Sequence, residues 1–120
     1  MLPKTNRADK KAIERIFKEG RFISSPNLTL KFINSKSPET SKISFISPKT
    51  TSKKAVVRNL LRRRGYAVLE KHFDSFPSGL LSAFIFGKKG EKVFGGRKNK
   101  DYNPIQNLEN EIKIILNKLH

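Results

Sequence analysis

At 120 residues the chain suits one domain with a real core. Lys and Arg number 26 against 10 Asp and Glu, a formal net charge of +16, which opposes compaction and favours a polyanionic partner, because each phosphate contact releases counterions. Cysteine is absent, excluding disulfides, cysteine-ligated zinc and iron–sulfur clusters. No apolar run approaches the roughly 20 residues of a membrane span, and the start Met1-Leu2-Pro3-Lys4 lacks the apolar core of a signal peptide. A cytoplasmic protein without membrane contact is expected.

In chain order, Ala12, Ile13, Ile16 and Phe17 recur at helical spacing, with Thr5 or Asn6 as a cap and Gly20 as a stop. Arg21 to Ser24 reads as a short strand broken at Pro26. Asn27 to Asn34 alternates as a second strand, with Leu28, Leu30 and Phe32 on one face and Thr29, Lys31 and Ile33 on the other. A polar loop from Ser35 leads to a third strand, Ile43 to Ile46, ended by Ser47-Pro48. A second helix follows over Lys53 to His72, with Val57, Leu60, Leu61, Val68 and Leu69 as its buried stripe. Gly65 interrupts it at a cost of about 1 kcal/mol relative to Ala, which suggests close packing there. Phe76 to Gly79 is a turn before a fourth strand, Leu80 to Phe86, and the glycine- and lysine-rich stretch Gly87 to Lys100 reads as a mobile loop. Asn103-Pro104-Ile105-Gln106 opens a last helix, with Gln106 closing a capping box and Ile105, Leu108, Ile112, Ile115, Leu116 and Leu119 on one face. The order αβββαβα indicates an α+β sandwich with a single sheet.

The most informative stretch is Lys53 to Tyr66. Arg58, Asn59, Arg62, Arg63 and Arg64 lie on a helix with no acid between Lys49 and Leu69. Guanidinium forks hold phosphates bidentately and stack on bases, so this pattern points to a nucleic acid, RNA before DNA. The bland alternative is a solvated helix face, and Asn59 could instead orient a neighbouring arginine.

This helix resembles the signature of the bacterial ribonuclease P protein component, Ala-Val-x-Arg-Asn-x-x-(Lys/Arg)-Arg, which reads here Ala55-Val56-Val57-Arg58-Asn59-Leu60-Leu61-Arg62-Arg63. Met1-Leu2-Pro3-Lys4 with Asn6-Arg7, and Ile16-Phe17-Lys18-Glu19-Gly20, are similar to other family segments, so the likeness covers most of the chain. It departs from the family in having Ser47 to Ser52 without a glycine before the helix, and Tyr66 where a third arginine often stands. Ile13 and Lys31 stand where aromatics are common, and the stretch Gly87 to Lys100 is longer and more basic.

The resemblance implies one RNA-binding domain over residues 1–120, the protein subunit of a ribonucleoprotein endonuclease that removes the 5′ leader of precursor tRNA. It implies that the RNA partner performs the hydrolysis with its own Mg²⁺, and that no further protein is obligatory. It implies a left-handed strand–helix–strand crossover, against the usual rule. Lys53, Lys54, Arg58, Asn59, Arg62, Arg63 and Arg64 would meet the catalytic RNA; Ile13, Phe17, Thr29 and Lys31 would line a cleft for the leader. Ile13 and Phe17 could alternatively belong to the core, Lys31 could be an ordinary solvent-facing lysine, and the lysines of Gly87 to Lys100 could be extra RNA contacts or solvated charge. No catalytic or metal-binding side chains are expected: His72 and His120 are isolated and the acids scattered. The rivals are a non-catalytic RNA-binding protein, such as a ribosomal protein, and a helix-turn-helix DNA regulator, which the flanking strands argue against.

Overall fold

The computed structural model describes residues 7–34 and 41–119. Its elements are α1 (Lys10–Glu19), β1 (Arg21–Ser25), β2 (Leu28–Asn34), β3 (Lys42–Ile46), α2 (Ala55–His72), β4 (Leu80–Phe86), α3 (Gly90–Phe94) and α4 (Pro104–Leu119). The four strands form one mixed sheet in the order β1-β2-β4-β3, with β3 and β4 parallel and α2 between them in sequence. The α+β class and the single sheet are therefore as expected, with α3 as an added element.

The register assigns side chains to two faces. Leu30, Phe84 and Phe45 are direct partners across three strands, and Leu28 pairs with Phe86. These residues join Leu61, Val68, Leu69, Leu108, Ile112 and Ile115 in the main hydrophobic cluster, so α2 and α4 cover this face. On the other face, Phe22, Lys31, Ala83 and Ser44 form one row and Ser24, Thr29, Ile85 and Ile46 the next. Helix α1 lies over that second face: Ile16 is fully buried yet outside the main cluster, and the buried Ser44 Oγ donates to Ala8 O at 3.1 Å.

Local chemistry explains the helix ends. Asp9 caps α1 by accepting from Ala12 N at 2.8 Å. The Asp9 bond corrects the expected cap; Thr5 and Asn6 themselves lie outside the described residues. Asn103 caps α4 through Oδ1 to Gln106 N, but Gln106 turns forward to Asn110, so the reciprocal half of the box is not made. Acids elsewhere fasten elements together. Glu111, nearly buried, accepts from Ser25 Oγ, Asn27 N and Asn27 Nδ2 at 2.6–3.0 Å, tying α4 to the β1–β2 turn. Glu109 accepts from His72 at 3.0 Å, joining α4 to α2. That hydrogen bond holds the Glu109 carboxyl below the usual carboxylate range, so its contribution to stability is present at neutral pH and fades as pH falls through the depressed value.

The stretch from Gly87 to Lys100 is not the expected mobile loop. Phe94 is fully buried, and its carbonyl accepts from Arg64 at 2.8 Å. Asn107 Nδ2 donates to Val93 O at 3.0 Å, and Tyr102 OH reaches Gly95 O. Phe94 and Val93, with these hydrogen bonds, fold the cationic stretch down against α2 and α4.

Helix α2 sits on the sheet at Gly65. A Cβ there would come within 2.6 Å of the Phe45 ring, which is itself stacked on Phe84 at 4.9 Å. Gly65→Ala should therefore destabilise the fold by about 1–3 kcal/mol through overpacking, despite alanine's better helix propensity; urea unfolding measures it. Stabilisation would mean that the contact relaxes freely.

Candidate nucleic-acid interface

The expected RNA-facing residues divide according to helix rotation. With Leu61, Gly65, Val68 and Leu69 against the sheet, the outward side of α2 carries Val56, Asn59, Arg63 and Ala67, all exposed. Leu60, expected in the buried stripe, is only half-buried and lies outside the main cluster, because it falls towards this outer side. Arg62 and Arg58 lie on one flank, half-buried.

Each arginine has a distinct local role. Arg58 Nη1 donates to Ser52 O at 3.0 Å, satisfying a carbonyl just ahead of the helix. Arg62 Nη2 donates to Asn59 Oδ1, so Asn59 does orient a neighbouring arginine while remaining exposed. Arg64 points the other way and is committed to Phe94 O. Among the expected arginines, Arg63 is the fully exposed one. Lys53 and Lys54 precede the helix and are exposed.

The loop before α2 is shaped by side chains. Thr51 N–H donates to Pro48 O at 3.0 Å, Thr51 Oγ1 to Phe86 O at 2.9 Å, and Lys54 N–H to Ser52 Oγ at 3.2 Å. Tyr66 is buried, and its hydroxyl accepts the Phe45 N–H at 3.1 Å, satisfying a donor on the edge strand β3. The Arg7 guanidinium lies 4.1 Å from the centre of the Tyr66 ring. Arg7, Val56, Asn59, Arg62, Arg63 and Tyr66 line a groove of about 420 Å³. Of these, Arg7, Val56 and Tyr66 were not among the expected RNA-facing residues, although each stands at a position where the family resemblance was read; only the fold brings Arg7 to α2.

The second candidate surface lies on the α1 side of the sheet. Phe17 is 45% exposed, whereas its neighbour Ile16 is the residue that anchors the helix. Lys31 projects from β2 beneath Phe17, its Nζ 4.9 Å from the ring centre. Ile13 is half-buried, and Thr29, next along the same face, shares a hydrogen bond with Ser24 at 3.2 Å. The structure thus brings Phe17 and Lys31 together, with Thr29 on the same sheet face. It adds Phe22, 69% exposed and paired with Lys31 across β1 and β2. Alternation along Arg21 to Ser24 puts Phe22 on this face only once the pairing register is known.

Beyond these surfaces, Lys88, Lys89 and Lys92 line a further open pocket with Asn27 and Gly87 at the end of β4. Among the described residues no three His, Asp or Glu side chains are grouped to hold a metal ion, and no helix is long and apolar enough to cross a membrane. His120 lies outside the described residues.

Comparison with known proteins adds the following. The family model described as Ribonuclease P matches residues 2–120. The fold is similar to the ribonuclease P protein of Thermotoga maritima, with 17% identity, 95% of this chain and 97% of that chain covered, and a TM-score of 0.77. It is also similar to the Staphylococcus aureus protein, with 21% identity, 96% and 95% covered, and a TM-score of 0.72. A mutant of the latter, described as defective in mRNA degradation activity, matches at 20% identity over 96% and 88% of the two chains, with a TM-score of 0.74. Comparison with curated protein sequences finds no significant match. At these identities the structural likeness speaks for the fold.

Neighbouring side chains on α1 should behave oppositely in unfolding. Ile16→Ala should cost about 2–5 kcal/mol as a fully buried truncation, whereas Phe17→Ala should stay within about 0.5 kcal/mol of the parent. Denaturant midpoints compare them, and a large loss for Phe17→Ala would make that ring a core residue.

Proposed function

The chain belongs to the ribonuclease P protein family, and on that premise we propose that residues 1–120 act as one RNA-binding domain. It serves a ribonucleoprotein that removes the 5′ leader of precursor tRNA. The flank and outer side of α2, with Lys53, Lys54, Arg58, Asn59, Arg62 and Arg63, meet the catalytic RNA. Arg64 contributes mainly by holding α3. The cleft of Ile13, Phe17, Thr29 and Lys31, widened by Phe22, receives the single-stranded leader.

One observation carries this reading: the cationic helix α2 and the exposed Phe17, Lys31 and Phe22 lie on opposite faces of one sheet. Two separate polyanion surfaces suit a protein that holds a structured RNA and a single strand at once. The chemistry of each fits its task. Arginine forks grip phosphates, while Phe17 and Phe22 offer flat apolar faces to bases, worth about 1–3 kcal/mol per stacked base. Lys31 supplies a cation between them for the connecting phosphate.

The protein's part is binding and orientation. Hydrolysis and its Mg²⁺ ions belong, on this reading, to the RNA partner; the protein neutralises phosphates near them and lowers the repulsion that Mg²⁺ would otherwise have to screen. No further protein is required, and the cytoplasm is the compartment in which such a complex would meet its substrate. A ribosomal protein or another RNA binder without a role in cleavage is the competing reading.

A cleavage assay separates the two. The purified protein should enhance precursor-tRNA cleavage by a ribonuclease P RNA at low Mg²⁺, and Phe17→Ala should weaken binding of leader-bearing substrate more than of mature tRNA. No enhancement at any protein concentration would sink the subunit reading. Loss of Arg62 and Arg63 together to Ala should lower the salt slope of RNA binding by about 1–2 units; an unchanged slope would remove this helix from the interface.

A further inference from the structure

The groove beside α2 has the chemistry of a base pocket more than that of a phosphate cradle. Its apolar part is Val56, which is 78% exposed in the first turn of the helix. A lone exposed valine is commonplace, but this one overlooks a cavity of about 420 Å³ whose rim is polar in one sense only. Asn59 Oδ1 is taken by Arg62, leaving the Asn59 amide nitrogen as a donor. Arg7, Arg62 and Arg63 carry donors and no acceptor. The Arg7 guanidinium lies 4.1 Å from the centre of the Tyr66 ring, and its buried Nε has no hydrogen-bond partner among the described residues.

A phosphate would satisfy the arginines and leave Val56 and the face of the Arg7–Tyr66 contact without a partner. A nucleobase uses all of them. Its plane lies against the valine and the stacked guanidinium, and an edge bearing acceptors meets the donors on the rim. Among the bases, guanine presents two adjacent acceptors, O6 and N7, the pair that arginine reads bidentately. The corresponding edges of adenine and cytosine bring an amino donor towards these donors.

We propose that this groove holds one unstacked base of the RNA partner, guanine by preference. The proposal rests on the reading that α2 faces the catalytic RNA, and adds that contact there is made to a base as well as to the backbone. Val56 is then a specificity residue inside a cationic surface.

The test is binding of the full chain to a ribonuclease P RNA across a salt series, for the parent and for Val56→Ser, with dimethyl sulfate probing of guanine N7. The exposed position leaves the fold intact, which an unchanged unfolding midpoint verifies. Val56→Ser should bind about tenfold more weakly at every salt concentration with the slope unchanged, because apolar burial is lost and no phosphate contact is. A guanine N7 protected by the parent should become reactive with the variant. Affinity within twofold of the parent, or no protected guanine, would overturn the base pocket. A lowered slope would also overturn it, marking a backbone phosphate as the occupant. If the parent itself shows no salt-dependent binding, the RNA interface on α2 falls first, a result distinguishable from the others.

Discussion

The close approach of Gly65 to the Phe45 ring governs the molecule. It lets α2 sink onto the sheet at one point, and that depth fixes the rotation of the whole helix. Once the rotation is set, the destinations of the other side chains follow. Tyr66 turns to the β3 edge and satisfies the Phe45 N–H, Arg64 turns to α3, and Asn59 and Arg63 are left facing outward. A side chain at 65 would push the helix outward and turn it, and the surface on its far side would be rebuilt. The outward face of α2 and the core are thus two readings of one contact.

A chain with a net charge of +16 must fold against its own repulsion. It does so by using several of its acids inside the architecture. Glu111 ties α4 to the β1–β2 turn through three hydrogen bonds from neutral groups, and Glu109 joins α4 to α2 through His72. The Arg15–Glu19 pair on α1 is exposed and contributes little. Negative charge is therefore spent on holding elements together. With 26 Lys and Arg against 10 acids, most of the cations still have no acid to pair with, which is the condition under which a polyanion binds with strong salt dependence.

The strands and both long helices were legible in the sequence because their apolar spacing is strict, and Gly65 announced a tight contact by being costly in a helix. The signature residues were legible as a set, but their individual roles were not. Whether Arg58 and Arg64 face solvent depends on which carbonyls, Ser52 O and Phe94 O, the fold brings within reach. Phe22 looked like an ordinary strand residue until its pairing with Lys31 set its face. The stretch from Gly87 to Lys100 misled for a physical reason: glycine and lysine content suggested mobility, while Phe94, with Val93 beside it, supplied the burial that α3 needed.

Helix α1 hangs from the rest of the molecule differently from α2 or α4. Its buried anchor, Ile16, packs apart from the main cluster, and the Gly20 N–H closes the helix onto Ile16 O just before β1 begins. One side of the Phe17–Lys31 contact is therefore part of the sheet, while the other is carried by a helix anchored through Ile16. The distance between the Phe17 ring and Lys31 is thus set by how Ile16 seats α1 on the sheet, so a change at one buried side chain would reach the exposed surface through the helix.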